Sequence, residues 1–254
     1  MKKGSLLLLS IFCISELIFA QKSPKFSASI SFGPAFPVGQ YGSKNSSDST
    51  AGWALPGPAL NISFGYHLTR SIGAMLLVSG QLNKQDAEVF KKRLKDGSGP
   101  GTEVQAKTYS WKIGKIMAGG FFDIPLSNSG KVLLRTALLG GAVKSYFPGY
   151  KYSGVSNPTG SPADMTAFSG TFTGMQLPWV FGFQVNAGVQ YEIAENIFLL
   201  ADMNYFSAKV ESYSFYPRST GIIISPRPLP FPSPQKTKFS LASLSVMFGA
   251  EFRF

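Results

Sequence analysis

The sequence predicts an all-β chain: a closed, antiparallel, up-and-down transmembrane β-barrel of eight strands, preceded by a cleavable signal peptide. Three observations predict it. Apolar residues recur at every second position in segment after segment. The connections between those segments alternate between short and long. Beyond its first residues the chain holds no run of ~18 apolar residues of the kind a spanning helix needs, although 44% of it is hydrophobic, 14% aromatic and only 15% charged. Alternation hides a lipid-facing surface in this way, because every second residue points inward.

The first element is "MKKGSLLLLSIFCISELIFA". Lys2 and Lys3 open it, and an apolar run from Leu6 to Ile14 follows. This is the pattern of a secretory signal peptide. Cleavage is expected after Ala20, leaving Gln21 first and residues 21–254 as the barrel domain. The site is imperfect: Ile18 stands where a small residue is preferred, and Glu16 is unusual so near the apolar run. Phe12 before Cys13 argues against a lipid-modified cysteine. Cys13 is the single cysteine, so the expected mature chain has no disulfide and no cysteine-ligated metal site. Removing Lys2, Lys3 and Glu16 takes 24 basic and 13 acidic residues to 22 and 12, a net of +10, which suggests an anionic partner.

Eight strands follow, at about 26–36, 58–69, 71–85, 107–125, 131–146, 177–194, 196–210 and 238–254. The clearest is "LPWVFGFQVNAGVQYEI". Trp179, Phe181, Phe183, Val185, Ala187, Val189, Tyr191 and Ile193 lie on one face, with Gln184, Asn186, Gln190 and Glu192 on the other. "ALNISFGYHL" and "FSASISFG" repeat the pattern. Short turns are expected at Thr69–Ser71, Ser127–Gly130 and Ala194–Asn196. Long loops are expected at about 37–57, 86–106, 147–176 and 211–237. In the fourth strand, Trp111 and Ile113 facing lipid would carry Lys115 there too, at ~2–4 kcal/mol at midplane. The preferred register puts Ile116, Ala118, Gly120, Phe122 and Ile124 outward and Lys115 inside. Tyr109, Trp111 and Ile113 then join Val180, Phe206 and Phe239 in the upper lumen.

The chain ends on "SLSVMFGAEFRF", with Leu244, Val246, Phe248, Ala250 and Phe252 alternating up to Phe254. A barrel closes by pairing its last strand with its first. The terminal pattern Phe248, Phe252, Phe254 resembles the C-terminal signal that the barrel-assembly machinery recognises in outer-membrane barrels. As architecture, the mature chain resembles the small eight-stranded barrels of the OmpA/OmpX/OmpW group and the broad outer-membrane beta-barrel family. That resemblance implies a bacterial outer-membrane location, both termini periplasmic, and contact with outer-membrane lipid and lipopolysaccharide. It leaves function open, because the fold hosts adhesins, enzymes, anchors and transport proteins.

Catalysis is not expected. Small barrels that act as lipid A deacylases or palmitoyltransferases use a histidine with a serine and a carboxylate near the outer leaflet. The single histidine, His67, faces inward beside a short turn, where it is expected to hydrogen-bond to its neighbours. There is no phosphate-binding glycine loop and no metal-ligand cluster; no cofactor and no nucleic-acid partner are expected. Asp123, Arg135, Glu192, Asp202, Glu251 and Arg253 all point inward near the short-turn end. In a lumen just wide enough for side chains they are expected to form an ion network.

The loops carry three further signals. "AEVFKKRLKDG" suits a short helix with Asp86 as N-cap and Gly97 as its stop. Five prolines from Pro226 to Pro234 make a stiff segment. Asp48-Ser49-Thr50 resembles a bacterial O-glycosylation sequon. Positive charge collects at the upper strand ends: Lys84, Lys107, Lys112, Lys144, Lys209 and Lys238. These would form a basic collar at the height of lipopolysaccharide phosphates. The reading is a non-enzymatic outer-membrane barrel with a surface-interaction or envelope-structural role, its extracellular partner unidentified. The alternative is a narrow porin-like channel, or an OmpW-type protein for small or hydrophobic solutes.

Overall fold

A computed structural model of the chain describes residues 24–48, 50–98, 101–157, 165–213 and 236–254. The expected signal peptide with its cleavage site at Ala20 and Gln21, Ser49 of the sequon, and the prolines between Pro226 and Pro234 lie outside the described residues. In chain order the elements are β1 (Phe26–Val38), β2 (Gly57–His67), β3 (Ile72–Lys84), α1 (Ala87–Ser98), β4 (Glu103–Thr108), β5 (Ser110–Pro125), β6 (Val132–Phe147), β7 (Tyr150–Ser156), β8 (Thr166–Phe172), β9 (Met175–Gln176), β10 (Val180–Ala194), β11 (Ile197–Tyr213) and β12 (Lys236–Arg253).

Eight of these strands form a closed ring, β1-β2-β3-β5-β6-β10-β11-β12, every neighbour antiparallel. The seam pairs Ser27 with Arg253 at one end and Val38 with Ala242 at the other. Closure leaves no free edge strand in the ring. Gly33 serves that seam directly: a Cβ there would meet the Val246 carbonyl at 1.9 Å.

The alternation read from the sequence becomes an inside and an outside. Along β3 the residues from Ile72 to Lys84 are exposed and buried in strict turn. Phe32, Leu60, Phe64, Val78, Ile116, Leu138, Phe183 and Met203 are exposed on the outer wall, with Phe181 at 74%. A surface this apolar, on a closed ring of strands, is that of a barrel embedded in a bilayer. Aromatic residues rim it at both levels. Phe26, Tyr66, Phe122, Tyr191, Phe252 and Phe254 ring the short-turn end, and Phe32, Phe36, Trp179 and Phe181 stand nearer the long loops. From Ile72 to Leu82 the chain climbs about 25 Å, at ~3.3 Å per residue and a tilt of ~40°. That is the height of a barrel's apolar band.

Above the wall, the expected fourth strand is two strands. It breaks at Tyr109, whose amide donates to the Gly149 carbonyl (3.0 Å) and whose own carbonyl accepts from Gln85 (3.1 Å). Tyr109 therefore points out of the molecule, 42% exposed, rather than into the upper lumen. β4 leaves the barrel and joins β7 and β8 in a separate three-stranded sheet, order β4-β7-β8. α1 begins where Asp86 accepts the amide of Glu88 at 3.0 Å, the expected cap. It runs through the expected stop at Gly97 to Ser98. The helix buries Phe90 against Tyr150 (ring centroids 4.5 Å) and Trp53 (6.2 Å). Helix and sheet form a folded platform over one side of the barrel mouth.

Candidate functional site

The lumen is filled in layers. At the short-turn end, Arg135 on β6 makes two bonds to Asp123 on β5, Nε–Oδ1 at 2.6 Å and Nη2–Oδ2 at 2.7 Å. Its Nη1 also donates to Glu251 on β12. Arg253 donates to Glu251 at 2.8 Å and to Gln190 at 2.6 Å. Both guanidiniums stack on aromatic rings, Arg135 over Phe121 at 4.3 Å and Arg253 over Phe198 at 3.9 Å. Thus four of the six expected network residues meet. Glu192 and Asp202 make no ion pair among the described residues. Asp202 instead borders a cavity of about 30 Å³ with Ser29, Ser63 and Asn186, room for about one or two waters.

His67 lies beside this layer. It is buried and packs edge-on against Phe121, ring centroids 4.9 Å apart. Its Nε2 has no hydrogen-bond partner, so the expected bonding to neighbours is replaced by aromatic packing. Among the described residues no group of His, Cys, Asp or Glu side chains could hold a metal ion.

Above the ion layer the barrel turns apolar. Met75, Leu77, Met117, Leu139 and Met247 are all buried. Lys115 does point inward, 5% exposed. Its ammonium donates to Gln184 Oε1 at 2.9 Å and sits 4.5 Å from the centre of the Phe206 ring. At the mouth, Trp111 is 1% exposed and contacts Tyr41, Phe147 and Phe239 at centroid distances of 5.4, 4.8 and 5.9 Å. Its indole donates to the Gly52 carbonyl at 3.1 Å, and Tyr41 donates to Asn83 at 3.1 Å. The described residues of 39–56, Tyr41 and Gly52 among them, are thereby folded down into the mouth. Trp111, Ile113, Phe206 and Phe239 join one continuous core, with Val180 packed against it. Among the described residues the upper lumen is a packed plug.

The lysines expected at the collar divide. Lys112 and Lys144 point outward at the band's upper edge, over the rings of Tyr146 (5.7 Å) and Trp179 (5.6 Å). Lys84 and Lys209 are exposed on β3 and β11. Lys238 pairs with Glu211 at 3.0 Å. Lys107 stands apart on β4, opposite Lys151 in the loop sheet. On the platform, burial first and Tyr152 second push the Tyr150 phenol up to about 12. In segment 39–56, hydrogen bonds from Thr50 hold Asp48 below the usual carboxylate range.

Several solved structures share the fold. Neisserial surface protein A is similar at 14% identity over 92% of this chain and 100% of its own, TM-score 0.45. The outer membrane protein OprG from Pseudomonas aeruginosa is similar at 12% over 92% and 99%, TM-score 0.48. Ail, the attachment invasion locus protein of Yersinia pestis, is similar at 14% over 92% and 100%, TM-score 0.39. At such identities no residue role carries across. No protein-family model and no curated protein matches the chain.

Proposed function

We propose that the chain is a bacterial outer-membrane barrel with its termini in the periplasm, acting through its extracellular loops as a surface-interaction or envelope-structural protein. The observation that carries this reading is the plug. From Arg135 through Met117 to Trp111 the described lumen residues are packed or paired, with a cavity of about 30 Å³ beside Asp202. The packing of the described lumen residues favours this reading over the alternative of a narrow channel or hydrophobic-solute path. The organised, polar and exposed part of the molecule is the platform. There β4, β7 and β8 present Lys107, Lys151, Ser153, Ser169 and Thr171 around a shallow concavity of about 430 Å³, a face suited to a polar or anionic partner.

Chemistry at the outer leaflet is not supported. His67, the single histidine, lies at the short-turn end, across the apolar band from the loops. The exposed lysines at the upper edge favour contact with lipopolysaccharide phosphates. The assembly role of Phe248, Phe252 and Phe254 fits their outward places on the closing strand. Reconstitution in planar bilayers tests the reading. A silent membrane is the expected result, and steady single-channel steps would overturn it in favour of the channel.

A further inference from the structure

The outer wall has a defect in its apolar covering. Across neighbouring strands, register partners run Phe32–Leu60–Gly80–Gly114–Lys144. Two outward glycines thus pair directly with each other, whereas the other outward glycines of these strands, Gly120 and Gly140, pair with Ala74 and Leu138 and with Ala118 and Phe183. Glycine inside a strand weakens it, and often marks a place where something else comes close. No close contact with the described residues requires these two. A Cβ at Gly80 would meet no atom within 4 Å, and one at Gly114 only the Lys144 carbonyl at 3.9 Å. Gly119, Gly141 and Gly249 differ, since a Cβ at each would strike a neighbouring backbone oxygen at 2.0–2.2 Å.

The gap is a groove of about 800 Å³, within the size range of ligand sites. Phe32, Leu60 and Leu82 wall one side; Lys112, Lys144 and Tyr146 the other. Its floor lies in the upper part of the apolar band. Its two cations stand at the band's edge, because Lys112 pairs in register with Leu82, about 25 Å above the short-turn end. Neither lysine meets a carboxylate among the described residues. Each is held over an aromatic ring instead. An apolar trough below two uncompensated cations complements one kind of molecule: a membrane amphiphile whose acyl chain fills the trough and whose phosphate reaches the ammonium groups.

We infer that this groove is a specific binding site for one phosphorylated glycolipid of the outer leaflet, of lipid A chemistry. An acyl chain lies over Gly80 and Gly114, and a phosphate sits between Lys112 and Lys144. This rests on the outer-membrane placement and collar contact proposed above, and narrows that contact to one side of the barrel.

The test uses the full barrel in detergent micelles, titrated with lipid A and read by native mass spectrometry. Wild type should hold one lipid A. G80L/G114L fills the trough from outside the fold, and should weaken binding at least tenfold with unchanged heat-modifiability. Lys112→Gln with Lys144→Gln should do the same, and should bind lipid A no better than wild type binds its dephosphorylated form. Lys209→Gln, on β11 away from the groove, should change binding less than threefold. Undiminished binding by G80L/G114L would overturn the groove while leaving a diffuse collar standing. So would equal losses in the on-groove and off-groove lysine variants. No lipid A held by wild type at any salt concentration would remove the collar as well. Equal displacement of lipid A by phosphatidylglycerol would overturn the assignment to a glycolipid.

Discussion

Phe26 and Phe254 exchange both backbone hydrogen bonds, at 2.9 and 2.8 Å, and their rings stack with centroids 6.1 Å apart. The last residue of the chain is therefore the lower lock of the seam. Phe26 also contacts Tyr66 on the next strand at 5.2 Å, which ties three strands together at the membrane edge.

Losing that lock should impair closure. Deleting Phe254 removes one outward aromatic, and replacing Phe254 and Phe252 with serine removes two; either loses a ring pair worth about 0.5–1.5 kcal/mol beyond its area. The folded fraction in the outer membrane should fall. The heat-modifiable band on unboiled gels measures it, and normal levels would refute both the lock and the assembly role.

Arg135 should matter more than any loop cation. Arg135→Ala leaves Asp123 and Glu251, both about 1% exposed, with Arg253 as their one cation, at 3.5 and 2.8 Å, and breaking a buried pair costs about 3–5 kcal/mol. Lys91→Ala removes only the pair with exposed Glu88, worth about 0.2–1 kcal/mol. Urea unfolding in detergent compares the two, and equal midpoints would contradict the geometry.

The cap over the mouth should depend on Trp111. Trp111→Ala removes three aromatic contacts and the bond to Gly52, at about 3–5 kcal/mol. Segment 39–56 should then become sensitive to limited proteolysis, while the barrel stays folded. A cleavage pattern like that of wild type would show that the cap is held by other contacts.

The strands were legible because period two is imposed by lipid on one side and a lumen on the other. Counting alternate residues from Ile124 was enough to place Lys115 inside. The loop sheet was not legible. "KYSGVS" and "TAFSGTF" do alternate, with Tyr152, Phe168 and Phe172 on the more buried face and Lys151, Ser153, Ser169 and Thr171 exposed, but the two strands are only seven residues each and glycine interrupts the apolar face. The break at Tyr109 comes from a partner forty residues on, Gly149, and leaves no local mark. That break also carries Lys107 off the collar. The inward set was readable, but which carboxylates reach Arg135 depends on register around the ring. Asp123 is its direct partner on β5. Asp202 lies two strands away on β11, opposite Gly188, which is itself opposite Arg135. The glycine pair of the groove was hidden for the same reason. Gly80 and Gly114 are far apart in sequence and adjacent only through the β3–β5 register.

Lys115 offers the sharpest check on the lumen. Its ammonium is buried and bonded to a neutral amide, with no carboxylate partner among the described residues. A buried charge without a counter-charge is costly; the Gln184 oxygen and the Phe206 face offset only part of that cost. Lys115→Met keeps the length and the apolar stem, and discards the charge. It should raise the urea midpoint, by an amount corresponding to about 1–3 kcal/mol. Gln184→Ala leaves the ammonium without its acceptor, and should lower the midpoint by about 1–3 kcal/mol. In the Lys115→Met background the same Gln184→Ala change should cost less, because the charge it served is gone. The double-mutant cycle reads that difference directly. If Lys115→Met destabilised the barrel instead, the charge itself would be a requirement of the lumen, and the plug would have to be understood as electrostatic as well as apolar.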